Sequence, residues 1–392
     1  MVWYNDKATG DELTSDEWDA HVTEGHFPGD ELNFGVDGGD PVITDPQDAD
    51  TIIARYDRAT DSWVLGSLTT EILVNIADHI VSSEPDIRTK LEGLSEGGVV
   101  NIGNGMYEFD TAISITADLA KVVGQNWGKQ LDSLTAGTIL KATADIDLLT
   151  AGTSGTGRTG VTLHDFVLEG NGSGSGSGTG LRTYVGGSDF ERIVSANHGG
   201  NAFYFQDSGA SDNTAEKLVG RDCGGDGFAV QSPDMVLDKI RAFRCQHGIQ
   251  LFKGGSTFSN FRLWDIDSHG IRIESASKSQ FSGGHVSTPD GNSNCLIRAA
   301  VGNCEKLTFS NVRFGAVSGS EPTDHIRIAS TDASYQVQAS FNNCIFDGGT
   351  DAVNVANATG AVNVYISDSY IGTQASVPSG VTLTDCYGPG AP

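Results

Sequence analysis

Basic residues are scarce in this chain: 24 Lys and Arg stand against 51 Asp and Glu in 392 residues, a formal charge of −27 at pH 7. That deficit excludes a scaffold that works by neutralising nucleic-acid phosphates, which needs a basic face. Lysine is the scarcer base, at roughly 10 positions, and Asp outnumbers Glu by roughly 36 to 15. A surface so acidic repels itself in dilute buffer, whereas molar salt shortens the Debye length to about 3 Å and removes the penalty, so the composition reads as salt adaptation. Hydrophobic residues are also few, at 38%, against the usual 45–50% or so, which argues against a compact helical bundle. Long apolar runs are missing: no window reaches the roughly 18 residues of a membrane span, so no membrane insertion is expected. The start, Met1-Val2-Trp3-Tyr4-Asn5-Asp6-Lys7, lacks the basic and apolar regions of an export signal, and synthesis in a host cytoplasm without export is the expectation. The six cysteines, at 223, 245, 295, 304, 344 and 386, include no Cys-x-x-Cys pair. They do not form a zinc pattern; their disulfide or free state stays open.

Glycine, in contrast, is abundant at 51 positions, the mark of many tight turns and short strands. Residues 1–66 form a separate block rich in Asp, Glu, Trp and Gly. Within it Asp40–Thr44 reads as a turn-bounded strand, and Ile52–Tyr56 with Ser62–Leu65 reads as a hairpin around Arg58–Asp61. Leu68, Ile72, Leu73, Ile76, Ile80 and Val81 then recur at helical spacing behind Ser67, predicting a helix over 68–83, and a second, shorter helix follows over Asp86–Leu94. The apolar stripe of the first suits packing onto a domain or a bundle between identical chains.

After Gly97-Gly98 the hydrophobic period changes from 3.6 to 2, with strands at Val99–Ile102, Ala112–Ile115 and Thr138–Lys141. One pattern then repeats: Gly227-Phe228-Ala229-Val230, Gly248-Ile249-Gln250-Leu251 and Gly270-Ile271-Arg272-Ile273, at intervals of 21 and 22 residues. Relatives of it occur at Ala202–Phe205, His325–Ile328 and Ala352–Val355. A second strand type interleaves at Asp189–Ile193, Asp238–Ala242, Phe258–Arg262 and Leu307–Asn311. A period near 22 with almost no helix predicts a β-solenoid in which each turn stacks on the next. The leucine-rich pattern is missing, and a sandwich would not hold one motif in register over so many turns. Cys223 and Cys245, one period apart, should stack as an interior ladder.

The run Gly97-Gly98-Val99-Val100-Asn101-Ile102 to Gly105-Met106-Tyr107-Glu108-Phe109, with Gly137–Ala142 and Val161–Asn171, resembles the opening of the pectate-lyase-like parallel β-helix superfamily. The resemblance covers about residues 86–386. It implies an all-β, right-handed, single-stranded parallel β-helix with a small N-terminal adaptor and short α-helices: adaptor 1–66, helical connector 67–96, coil 97–386 and tail 387–392. The superfamily includes polygalacturonases, polysaccharide lyases and viral attachment fibres. The layout resembles the viral members, which implies a homotrimeric spike or tail fibre of a virus of haloarchaea. Its partners would be further copies of itself, other virion proteins through residues 1–66, and a host surface glycan or glycoprotein.

The enzyme alternative is a polysaccharide lyase or glycoside hydrolase. Asp226, His247 and His269 each precede a repeat glycine and should line one corner of the coil. Gly224-Gly225-Asp226-Gly227 and Gln246-His247-Gly248 partly match the glycosidase branch of the superfamily, while Ile271-Arg272-Ile273-Glu274 departs from its Arg-Ile-Lys stretch and an Asp-Asp rung is missing. The resulting catalytic alternative is Asp226, Asp222, His247 and Arg272; Asp265 with Asp267 is a further carboxylate pair. A polar residue before a corner glycine is also what any such coil uses to bond its turn, and that structural reading is favoured here over catalysis. Tyr184, Tyr204, Trp264 and Tyr335 are the aromatic candidates for stacking on sugar rings. His285 and His325 are assigned no role. Asp30, Glu31, Asp37 and Asp40 carry the thought of a structural Ca²⁺ or other cation, without a spaced loop to support it, and no cofactor is expected. Asn171-Gly172 to Gly180 reads as a flexible insertion.

Overall fold

The computed structural model describes residues 33–37, 40–44, 52–57, 62–65, 80–81, 83–127, 137–155, 158–172, 176–206, 211–288, 292–316, 321–330, 332–356, 358–374 and 376–391. The chain divides into two units, Met1–His79 and Ile80–Pro392.

The first unit holds a four-stranded antiparallel sheet of Asn33–Asp37, Asp40–Thr44, Ile52–Asp57 and Ser62–Leu65. The expected hairpin forms, with Tyr56 opposite Trp63. Asp37 and Asp40 are register partners on adjacent strands; Asp30 and Glu31 lie outside the described residues.

The second unit is a parallel β-solenoid of about ten turns. Two sheets carry it. One has ten strands, at Ile113–Ile115, Leu149–Ala151, Leu181–Thr183, Phe203–Phe205, Phe228–Val230, His247–Leu251, His269–Glu274, Ser293–Ala299, Asp324–Ser330 and Asp351–Val355. All six strands of the repeating sequence pattern fall in this sheet, joined by a seventh, Ser293–Ala299, in the register Phe203, Phe228, Ile249, Ile271, Cys295, Ile326, Val353. The other sheet has 22 strands and bends once per coil.

That bend alters one expectation. Asp238–Ala242 and Phe258–Arg262 each divide between two strands, Asp189–Ile193 lies within the single bent strand Asp189–Ala196, and Leu307–Asn311 closes the strand Cys304–Ser310. Arg192, Lys239, Asn260 and Asn311 sit at φ of 52°, 54°, 52° and 55°, so the chain turns a corner there and the apolar residues on both sides point inward. Short polar side chains tolerate this left-handed conformation best and also bond along the stack: Asn343 Nδ2 donates to Asn311 Oδ1 at 2.6 Å and Asn260 Nδ2 to Asp238 Oδ1 at 2.7 Å.

Inside, equivalent residues of successive coils pack face to face. Phe258, Phe281, Phe309 and Phe341 form a stack with ring centroids 4.7, 4.7 and 4.5 Å apart. Cys223 and Cys245 pair in register, buried and unoxidised, as an interior ladder. Among the described residues Glu84–Glu92 is the one α-helix, with Ile87 and Leu91 buried. Most of the helix expected over 68–83 lies outside the described residues, but Ile80 and Val81 are a strand paired with Asn101 and Ile102. Backbone pairing with the first coil outweighs their place in the helical stripe, because an unpaired sheet edge there would leave its polar groups without partners. At the other end Tyr387 still pairs with Tyr370, so the coil runs one residue into the expected tail. No helix among the described residues is long and apolar enough to cross a membrane.

Candidate functional site

The repeat glycines build the site by being small. A Cβ at Gly248 would lie 2.6 Å from the Gly270 carbonyl oxygen, and one at Gly227 would lie 2.6 Å from Ala242 Cβ. Close approach, rather than positive φ, is therefore what these corners need. The tight corner aligns the preceding residues, Asp226, His247 and His269, on the outer edge of the ten-stranded sheet. His247 and His269 are register partners with ring centroids 5.8 Å apart.

His247 and Asp226 are nearly buried, at 3% and 5% exposure, and His247 Nδ1 lies 2.6 Å from Asp226 Oδ1. The carboxylate accepts, so the imidazole carries its proton on Nδ1 and turns Nε2 outward. Arg272 Nη1 approaches that Nε2 at 3.4 Å. Arg272 is itself held by Glu274, which accepts from its Nε at 2.6 Å and bridges on to Arg298 at 3.3 Å. Asn201 Oδ1 accepts from the Asp226 backbone N–H at 2.7 Å, fixing the corner from below. His269 bonds Ser293, and burial together with neighbouring His247 pushes its imidazole down to about 4, so it is neutral at pH 7.

Asp226, His247 and Arg272 line an open groove of about 310 Å³ with Asn201, Tyr204, Gln231, Gln246, Gln250 and Phe252. Burial raises the Tyr204 phenol, which keeps its proton at neutral pH. One coil before Tyr204, Arg182 lies over its ring at 4.8 Å and pairs with Asp147 at 2.7 Å. The groove is thus a polar trough with aromatic walls, a carboxylate-oriented imidazole on its floor and arginines along one side.

The structure brings Asp226, His247, Arg272 and Tyr204 together and separates the other candidates from them. Asp222 sits at φ 53°, on a corner facing elsewhere, and accepts from Arg244 at 2.5 and 3.0 Å. Its nearness to Asp226 in sequence does not carry into space, because the buried Cys223 turns the chain inward between them. Asp265 and Asp267 do not line the groove. Tyr184 is next to Arg182 at the far end of the same face. Trp264 instead stacks on Phe243 at 4.6 Å in the 22-stranded sheet, and Tyr335 packs against the core. The four aromatic residues therefore do not share one surface.

Asn201, Gln231, Gln246, Gln250 and Glu274 were not singled out from sequence. The signal was present: Tyr204, Ala229, Gln250 and Arg272 each sit between the two inward residues of the repeat, so period-2 alternation puts them outward in one row. The Gly-rich insertion is partly tied down, since Asp145 accepts from the backbone N–H of Ser177 at 2.9 Å and of Gly178 at 2.7 Å. Among the described residues no group of three or more His, Cys, Asp or Glu is arranged to hold a metal ion.

No family model and no curated protein matches the sequence. Solved structures do. The A-module of the Azotobacter vinelandii mannuronan C-5 epimerase AlgE6 superposes with a TM-score of 0.60 at 12% identity, over 80% of this chain and 96% of that one. The N-terminal fragment of bacteriophage phi29 gene product 12 gives 0.55 at 16% identity, over 79% and 64%. The catalytic domain of a GH87 α-1,3-glucanase in complex with nigerose gives 0.50 at 11% identity, over 79% and 64%. The chain is a parallel β-helix protein. At such identities the likeness is one of fold, and this β-helix shares its coil with both polysaccharide-acting enzymes and a phage protein.

Proposed function

We propose that this β-helix recognises and processes an acidic polysaccharide laid across its ten-stranded face, with the reacting sugar over His247. The observation that carries the reading is the 2.6 Å bond from His247 Nδ1 to Asp226 on the groove floor, with Arg272 on the other ring nitrogen. An imidazole held in one tautomer with Nε2 outward beside an arginine is suited to taking a proton from the carbon next to a sugar carboxylate. Arg272 turns to that carboxylate and stabilises the charge that develops on it. His247 Nε2 accepts the proton, and the Tyr204 hydroxyl is the donor across the groove. If that donor protonates the departing glycosidic oxygen, the chain is cut and a double bond is left in the new end; if it returns a proton to the same carbon, the sugar is epimerised. Hydrolysis by a carboxylate pair is disfavoured, because Asp226 is the one carboxylate lining the described groove and it is bonded to His247.

In the same reading the protein is a virion attachment spike, salt-adapted and homotrimeric, fixed to the particle through residues 1–66 and meeting a host surface glycan. The phage fragment's shared fold supports that setting, and the mannuronan epimerase and glucanase folds support the substrate class. Incubation with polyuronates tests it. Unsaturated uronate ends or epimerised residues are expected, lost in His247→Asn and Asp226→Asn. Tight binding with an unaltered polymer leaves a non-catalytic fibre, and no binding to any glycan overturns the reading.

A further inference from the structure

A second outward row, on the bend of the 22-stranded sheet, departs from the charge pattern of the rest of the molecule. Arg241, Arg262, His285 and Arg313 occupy one register position on four successive coils. Adjacent coils are about 4.8 Å apart, and like charges directly opposite one another on a sheet are destabilising. The three arginines are exposed. Arg313 is paired with Asp347 at 2.7 Å, but among the described residues no carboxylate pairs with Arg241 or Arg262. Several bases on neighbouring corners do hold carboxylate partners, Arg192, Lys217, Lys239 and Arg244 among them. With acidic side chains outnumbering basic ones about two to one in the sequence, three guanidiniums in one register row, two of them without a carboxylate partner among the described residues, are a local concentration of positive charge. His285 feels it, since after burial the nearby Arg313 and Arg262 further depress its protonation. Beside the row, Phe243 and Trp264 stack at 4.6 Å, and the Arg262 guanidinium lies 5.0 Å over the Trp264 ring.

We propose that this row is a binding track for an extended anionic polysaccharide, distinct from the groove and on a different sheet. Charged groups spaced along a sugar chain complement cations spaced along the coils, and the guanidiniums pair with carboxylate or sulfate in bidentate fashion. The half-buried Trp264 offers an apolar edge to the sugar rings. A nucleic acid is the poorer occupant, because three guanidiniums, one of them already paired with Asp347, do not neutralise a continuous phosphate backbone on a strongly acidic protein. The inference shares with the reading above only the premise that the protein meets an acidic glycan; it does not depend on the chemistry at His247. Within it the track holds the polymer while the groove works on it.

Binding of the full chain to immobilised polyuronate, sulfated polysaccharide, neutral glucan and single-stranded oligonucleotide tests this, in 0.15 M and 1 M salt. Arg241→Gln with Arg262→Gln is expected to weaken binding to one of the two anionic glycans at least tenfold at 0.15 M salt, with an unchanged melting temperature. The corresponding Lys pair should keep most of the affinity, and His247→Asn should leave track binding intact. The carboxylated and sulfated arms identify which anion is read. Equal affinity of the Gln pair and wild type, no affinity for either anionic glycan, or preference for the oligonucleotide overturns the proposal. Polymer affinity unchanged in the Gln pair with turnover of short uronate oligomers intact would show the groove reading standing while the track falls; turnover lost in His247→Asn with binding retained shows the two as separate.

Discussion

Lowering the pH should weaken the coil through imidazoles that the fold holds neutral, and His325 gives the clearest case. Its side chain is fully buried, Nδ1 lies 2.8 Å from Asn294 Nδ2, and Nε2 donates to the Gly348 carbonyl at 2.7 Å. Both ring nitrogens are used by the neutral form, since the first accepts from the Asn294 amide. Burial pushes the group down to about 4; the Gly348 carbonyl and the nearby Asp347 carboxylate oppose that without reversing it. In the unfolded chain the same imidazole takes a proton below about pH 6.5. Its contribution is therefore complete above pH 6.5 and is lost as the pH falls toward 4, where the folded form also protonates. At about 1.4 kcal/mol per tenfold change, the loss reaches about 2 kcal/mol by pH 4.5 and about 3 kcal/mol at lower pH. Guanidinium unfolding at pH 7.5 and pH 4.5 measures it when wild type is compared with His325→Gln, which keeps an amide donor for Gly348. The variant should be less stable than wild type at pH 7.5 and should lose about 2 kcal/mol less on acidification. Parallel losses in the two proteins would refute the assignment, whatever the carboxylates contribute to both.

Two further outcomes are expected. Phe281→Ala removes a fully buried ring from the middle of the stack, between Phe258 and Phe309 at 4.7 Å each, and should cost about 3–5 kcal/mol in chemical denaturation, with Phe281→Leu costing less. Thiol labelling of the native chain should report one reactive cysteine, Cys386, because the other five are buried and Cys245, Cys295, Cys304 and Cys344 all have raised thiol values from burial or from a neighbouring thiol; all six should react after unfolding, and several fast native labels would contradict the interior ladder.

The sequence by itself determined the coil. A pattern recurring at 21 and 22 residues can bury its apolar residues only by stacking each turn on the last, so Phe228, Ile249 and Ile271 had to fall in one register. The corner order Asp226, His247, His269 followed from the same period. What the tertiary structure decided was which neighbours in sequence face the same way. Each of four expected strands carries or ends on a corner, at Arg192, Lys239, Asn260 and Asn311, and two of them divide there, since a left-handed residue leaves no mark on hydrophobic periodicity. Asp222 turned away from Asp226 within four residues, while Tyr204 and Arg272, 68 positions apart by number, came to one groove. The basic row from Arg241 to Arg313 likewise exists only across coils. Period fixes stacking because burial is additive along the solenoid; the direction of a polar side chain depends on the local corner, which single residues set and composition does not record.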